Sequence, residues 1–125
     1  MNALDMAKTA YGTPGTPVRT ERSTEYDLLA RTTRRLREAQ RAAKTDVTSM
    51  VEALHENRRL WTTLAVNVAD KENGLPRDLR ARLFYLAQFT LAHTSKVLSK
   101  KASAEVLIEI NTAVMRGLAV QKGVP

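Results

Sequence analysis

Residues 47 to 68 carry the clearest pattern in the chain. Val47, Met50, Leu54, Asn57, Trp61, Leu64 and Val68 recur at alternating spacings of three and four. An unbroken three-four alternation is the seam of a helix packed in a bundle. It predicts a helix over Asp46–Lys71, stopped by Asn73-Gly74 as a left-handed terminator and followed by Pro76 where a first helical turn tolerates it. A thinner stripe of Leu29, Thr32, Leu36, Ala39 and Ala43 predicts an earlier helix over Thr24–Ala43. Ser23 or Thr24 would cap it, with Glu25 and Asp27 in the first turn. Two more helices are expected over Pro76–Leu98 and Ser103–Val120. Short connections make neighbours antiparallel. The predicted fold is therefore all-α, an antiparallel four-helix bundle over residues 21–125. Residues 1–20 would form a short N-terminal helical segment (Ala3 to Tyr11) and a flexible Pro/Gly linker, GTPGTPVRT.

The last two helices carry more apolar surface than one seam needs. At about 100° per residue, Leu79, Leu83, Leu86 and Val97 fall on one line of the third helix. Phe84, Leu91 and Leu98 fall on a second line, and Tyr85 and Phe89 on yet another side. In the fourth, Leu107, Ile110, Val114 and Leu118 are the expected core line, with Ile108 and Met115 flanking it. Such width has two explanations. The surface is covered, for instance by the N-terminal segment folding back through Leu4, Met6 and Tyr11. Otherwise it forms a groove for an amphipathic helix from a partner. Trp61 lies on the seam of the second helix, so it is expected in the core. Arg58 and Arg59 point away from it and are candidate partner contacts, while Leu60 lies off the main seam. Asn57 is a polar residue on that seam, suited to fixing register through a buried hydrogen bond.

Charge adds a partner class. Twenty Lys and Arg oppose thirteen Asp and Glu in 125 residues, a formal charge of +7, which favours acidic partners. Arginine is densest in RTTRRLREAQR, residues 31–41, either a solvated helix face or a contact to nucleic acid. Aromatics are only 5%, too few for base-stacking platforms. The chain has no cysteine, which removes thiol catalysis, disulfides and zinc-thiolate sites. His55 stands beside Glu52 and Glu56 and is expected to pair with one of them. His93 stands alone, so no histidine pair has metal-ligand spacing. There is no glycine-rich phosphate loop. Ser23 and Thr24 are caps before they are nucleophiles. A non-enzyme without metal or cofactor is expected. The start MNALDMAKTAYG lacks the regions of a signal peptide, and no apolar run reaches the ~18 residues that cross a bilayer. A cytoplasmic protein is expected.

The segments NALDMAKTAYG, RSTEY, ALHENRRLWTTLAVNVADKENGLP, LRARLFYLAQFTLAHT and INTAVMRGL resemble the FlaF family of flagellar biosynthesis regulators of alphaproteobacteria. The resemblance implies a cytoplasmic protein that associates with flagellin and works with, or against, the translational regulator FlbT. Joined to the apolar excess, it leads to the expectation of a flagellin-binding secretion chaperone that couples flagellin synthesis to export, as a monomer or a one-to-one complex with its client. Tyr85, Phe89, Leu91 and Met115 would be groove contacts, and Arg58, Arg59 and Arg82 rim contacts to carboxylates. The alternative is a post-transcriptional regulator that contacts flagellin mRNA or FlbT through the basic helix 24–43.

Overall fold

The structure is a computed structural model that describes the backbone of residues 16–121 and the side chains of residues 26–117. Four helices are described: α1 (Thr16–Arg41), α2 (Val47–Ala69), α3 (Arg77–Leu98) and α4 (Glu105–Gln121). The expected all-helical bundle is present. α1 begins eight residues before the expected Thr24 and takes in residues 16–20 of the expected linker. Pro17 does not prevent this, because a proline in the first turn gives up only an N–H that has no helical partner anyway. The rest of the linker, and Leu4, Met6 and Tyr11, lie outside the described residues.

The helices pack in a ring, α1 on α2, α2 on α3, α3 slightly on α4, and α4 back on α1. Cross-links at the rims fix the directions. Arg35 of α1 pairs with Glu56 of α2. Arg37 donates to the Thr112 hydroxyl of α4 (3.0 Å) and Gln40 to Glu105 (3.2 Å). Later residues of α1 thus meet earlier residues of α2 and α4, so both run antiparallel to it.

The turns are held by side chains. Asp46 caps α2 by accepting from the Ser49 backbone N–H (3.0 Å) and hydroxyl. Those two bonds, the hydroxyl's first, hold its carboxyl below the usual carboxylate range. At the α2–α3 turn the Asn73 side chain does the work expected of a left-handed residue. Its amide donates to the Asn67 carbonyl (3.0 Å) and its oxygen accepts from Leu75 N–H (2.9 Å). At the end of α3, Lys100 adopts a left-handed backbone (φ 63°). There Lys101 N–H reaches the Lys96 carbonyl (2.8 Å) and Lys100 N–H the Val97 carbonyl (3.0 Å), the paired bonds of a Schellman stop.

The core is two apolar clusters with a polar belt between them. Around Trp61 gather Leu29, Leu60, Leu64, Val68, Leu75, Leu83 and Ala87. Toward the other end, Leu36, Ala39, Ala53, Leu54, Leu107 and Ile108 form the second. Thr32, Thr33, Asn57, Thr90, Thr94 and Asn111, contributed by all four helices, are equally buried. Trp61 Nε1–H donates to Asn111 Oδ1 (2.9 Å), and Asn111 Nδ2 donates to Asn57 Oδ1 (2.8 Å). An indole N–H can only donate, so it fixes the direction of the whole relay.

Two expectations are corrected at this level. Leu60 is buried rather than off the seam. Among the described residues of α4 the buried ones are Leu107, Ile108 and Asn111, while Ile110 and Val114 are half-buried and the side chain of Leu118 lies outside the described residues. The core line of α4 passes through an asparagine, which a purely apolar count discards.

Candidate interaction surface

α3 is built differently from its neighbours. Its buried positions hold Leu83, Ala87, Thr90 and Thr94, small or polar residues apart from one leucine. Small residues let α3 sit close to α2, its most extensive contact, whereas it barely touches α4. Arg80 strengthens the α2 side by reaching the carbonyls of Val68 (3.4 Å) and Asp70 (3.3 Å). The large apolar residues of α3 are consequently displaced from the centre. Tyr85 is 67% exposed, Phe89 38% and Phe84 36%.

Tyr85 and Phe89 are one turn apart and share the outward face, with Arg82, Ala92 and Lys96 exposed on the same line. Phe89 is not a loose side chain. Its ring stacks on His93 (centroids 5.6 Å apart, planes 14° apart), and His93 Nε2 lies 2.9 Å from the Ser103 carbonyl. This clamp pins an aromatic residue against water, an arrangement that lowers the entropic cost of using it as an anchor. His93 looked isolated in the sequence because its partners are a ring four residues back and a backbone oxygen in the following turn.

The remaining candidate residues do not gather on that face. Leu91 is half-buried, and helical spacing turns it toward α2, the same seam to which Arg58 points from the other side. Met115 is half-buried and packs against the Trp61 cluster. Arg59 lies around α2 from Arg58, lining a cleft of about 820 Å³ between α1 and α2 together with Arg35, Glu38, Glu52, His55 and Glu56. Of the seven positions, Arg82, Tyr85 and Phe89 share one surface.

The α1–α2 cleft also corrects the reading of His55. Glu56 pairs with Arg35 instead, and His55 makes no described hydrogen bond or ion pair. The arginines of α1 do not form an unbroken basic face. Arg35 and Arg37 are engaged by Glu56 and Thr112. Arg34 and Arg41 project outward on the side that also carries Asp27 and Glu38. Among the described residues, no group of three or more His, Cys, Asp and Glu could hold a metal ion. Nor is any described helix long and apolar enough to cross a membrane.

The fold and this surface define a small four-helix bundle that presents a clamped aromatic helix face. The profile of the family described as flagellar protein FlaF matches residues 7–118, and the chain belongs to that family. No curated protein and no solved structure matches it.

Proposed function

We propose that this protein binds flagellin in the cytoplasm, without catalysis, shielding an amphipathic helix of the client until export and so coupling its synthesis to its secretion. FlbT is a candidate second partner. Membership of the FlaF family supports the flagellar setting. The observation that carries the binding mode is the outward pair Tyr85 and Phe89, exposed on a helix whose core face is filled by small residues. Apolar terminal helices of a filament subunit need cover before assembly, and a rigid aromatic strip supplies it reversibly. Arg82 stands on the same face as a contact for client carboxylates.

The second reading is contact between the basic helix and flagellin mRNA. The exposed Arg31, Arg34 and Arg41 favour it. Asp27 and Glu38 on the same side, and the engagement of Arg35 and Arg37, weigh against it. Calorimetry with flagellin and with its leader RNA at low and high salt separates the two. Flagellin binding that survives high salt and is lost in Y85E/F89E, with unchanged circular dichroism, is the expected result. RNA binding that falls by orders of magnitude as salt rises, without flagellin binding, would move the function to α1.

A further inference from the structure

The outward line of α3 continues in both directions from the aromatic pair. Asp78, Arg82, Tyr85, Phe89, Ala92 and Lys96 follow at spacings of four, three, four, three and four, and all are exposed. The spacing is that of a helix-packing seam, on the side opposite the core, with the aromatic pair and Ala92 as its apolar members and charges at its other positions. It spans about 27 Å at 1.5 Å per residue. Its two ends differ in sign, with Asp78 at the N-terminal end and Lys96 at the C-terminal end, and Arg82 lies between them. The following turn adds Lys100 and Lys101, while residues 79–104 contain no Asp or Glu.

We infer that two copies of this chain pair antiparallel through the outer faces of α3, with the two-fold axis between Tyr85 and Phe89. In that register Tyr85 of each copy meets Phe89 of the other, Arg82 lies over Ala92, and Asp78 faces Lys96 at both ends. A two-fold interface must be self-complementary, and this seam is. A parallel pairing would set Asp78 against Asp78 and Lys96 against Lys96. The pairing is weak by construction. Two aromatics per copy, at about 150–250 Å² each, bury less than the roughly 1,200 Å² of a stable interface. The dimer therefore covers the aromatic strip at high concentration and yields it to a tighter ligand. This role rests on the reading of the strip as the client-binding face, but the pairing itself does not.

Sedimentation equilibrium of the purified full chain over a wide concentration range tests it, with folding followed by circular dichroism. Wild type is expected to show reversible dimerisation. K96E alone and D78K alone should each weaken it by about tenfold or more, because each creates like-charge contacts at both ends. The double variant D78K/K96E should restore it. A wild-type protein that stays monomeric throughout, or a double variant no better than the singles, overturns the proposal. Should a single variant unfold, the cysteine-free chain offers a second route. Mixing R82C protein with A92C protein should give mostly mixed disulfide dimers, whereas random pairing would overturn the register. Flagellin binding by a strictly monomeric protein would sink the pairing and leave the proposed function standing. A dimer that binds no flagellin would do the reverse.

Discussion

α2 and α3 are adjacent, antiparallel and of nearly equal length, yet they use their large side chains in opposite ways. α2 buries Leu54, Leu60, Trp61, Leu64 and Val68 and exposes mainly polar residues such as Glu52, His55 and Arg59. α3 buries Leu83, Ala87 and two threonines and exposes Phe84, Tyr85 and Phe89. A helix under selection for stability alone places its bulk inward, since each buried large side chain contributes about 1.5–3 kcal/mol. α2 follows that rule for all its leucines and its tryptophan and leaves out only the smaller Val47 and Val66. α3 forgoes it, and the aromatics it leaves outside are the structural basis for assigning a binding role to this face.

The sharpest way to break this contrast is to truncate the aromatics on both helices. Trp61→Ala should lower unfolding free energy by about 3–5 kcal/mol, through lost burial and a buried Asn111 left without its donor. Tyr85→Ala should change it by less than about 0.5 kcal/mol. Denaturant titrations read both, and comparable losses would mean that Tyr85 is core. A finer test uses the threonines on the inner face of α3. The Thr90 hydroxyl is buried with no hydrogen-bond partner, whereas Thr94 donates to the Thr90 carbonyl (2.7 Å). Thr90→Val should therefore raise stability by about 1 kcal/mol and Thr94→Val lower it by about 0.5–1 kcal/mol. Equal effects would contradict the difference in pairing. An effect of the same size as that of Thr94→Val belongs to the stop of α3. A lysine at φ 63° pays a steric penalty that glycine avoids, so Lys100→Gly should stabilise by about 0.5–1 kcal/mol in thermal melts.

What the sequence disclosed follows from the same contrast. The alternating spacing of α2 located its helix to within two residues at either end and put Trp61 in the core. It also marked Asn57 as a buried register residue, and Asn57 does accept a hydrogen bond there from Asn111. Asn111 itself went unremarked, because asparagine in a helix looks like surface until a donor such as the Trp61 indole is known to face it. On α3, periodicity separated Tyr85 and Phe89 from the other apolar lines but could not say which line faces the core. That choice is made by the small residues Ala87, Thr90 and Thr94, whose value is close approach rather than bulk. The start of α1 was hidden by glycines and prolines that read as a linker. The stop at Lys100 was hidden because the turn contains no glycine to advertise it.

Hydroxyl-radical footprinting of the free protein and of its mixture with flagellin would show most plainly whether the α3 aromatic face binds the client. Rapid labelling of Tyr85 and Phe89 is expected in dilute free protein, with near silence at Trp61 and selective protection of that pair when flagellin is added. Labelling of Trp61 in the folded protein, or bound flagellin that leaves Tyr85 and Phe89 as reactive as before, would contradict that expectation.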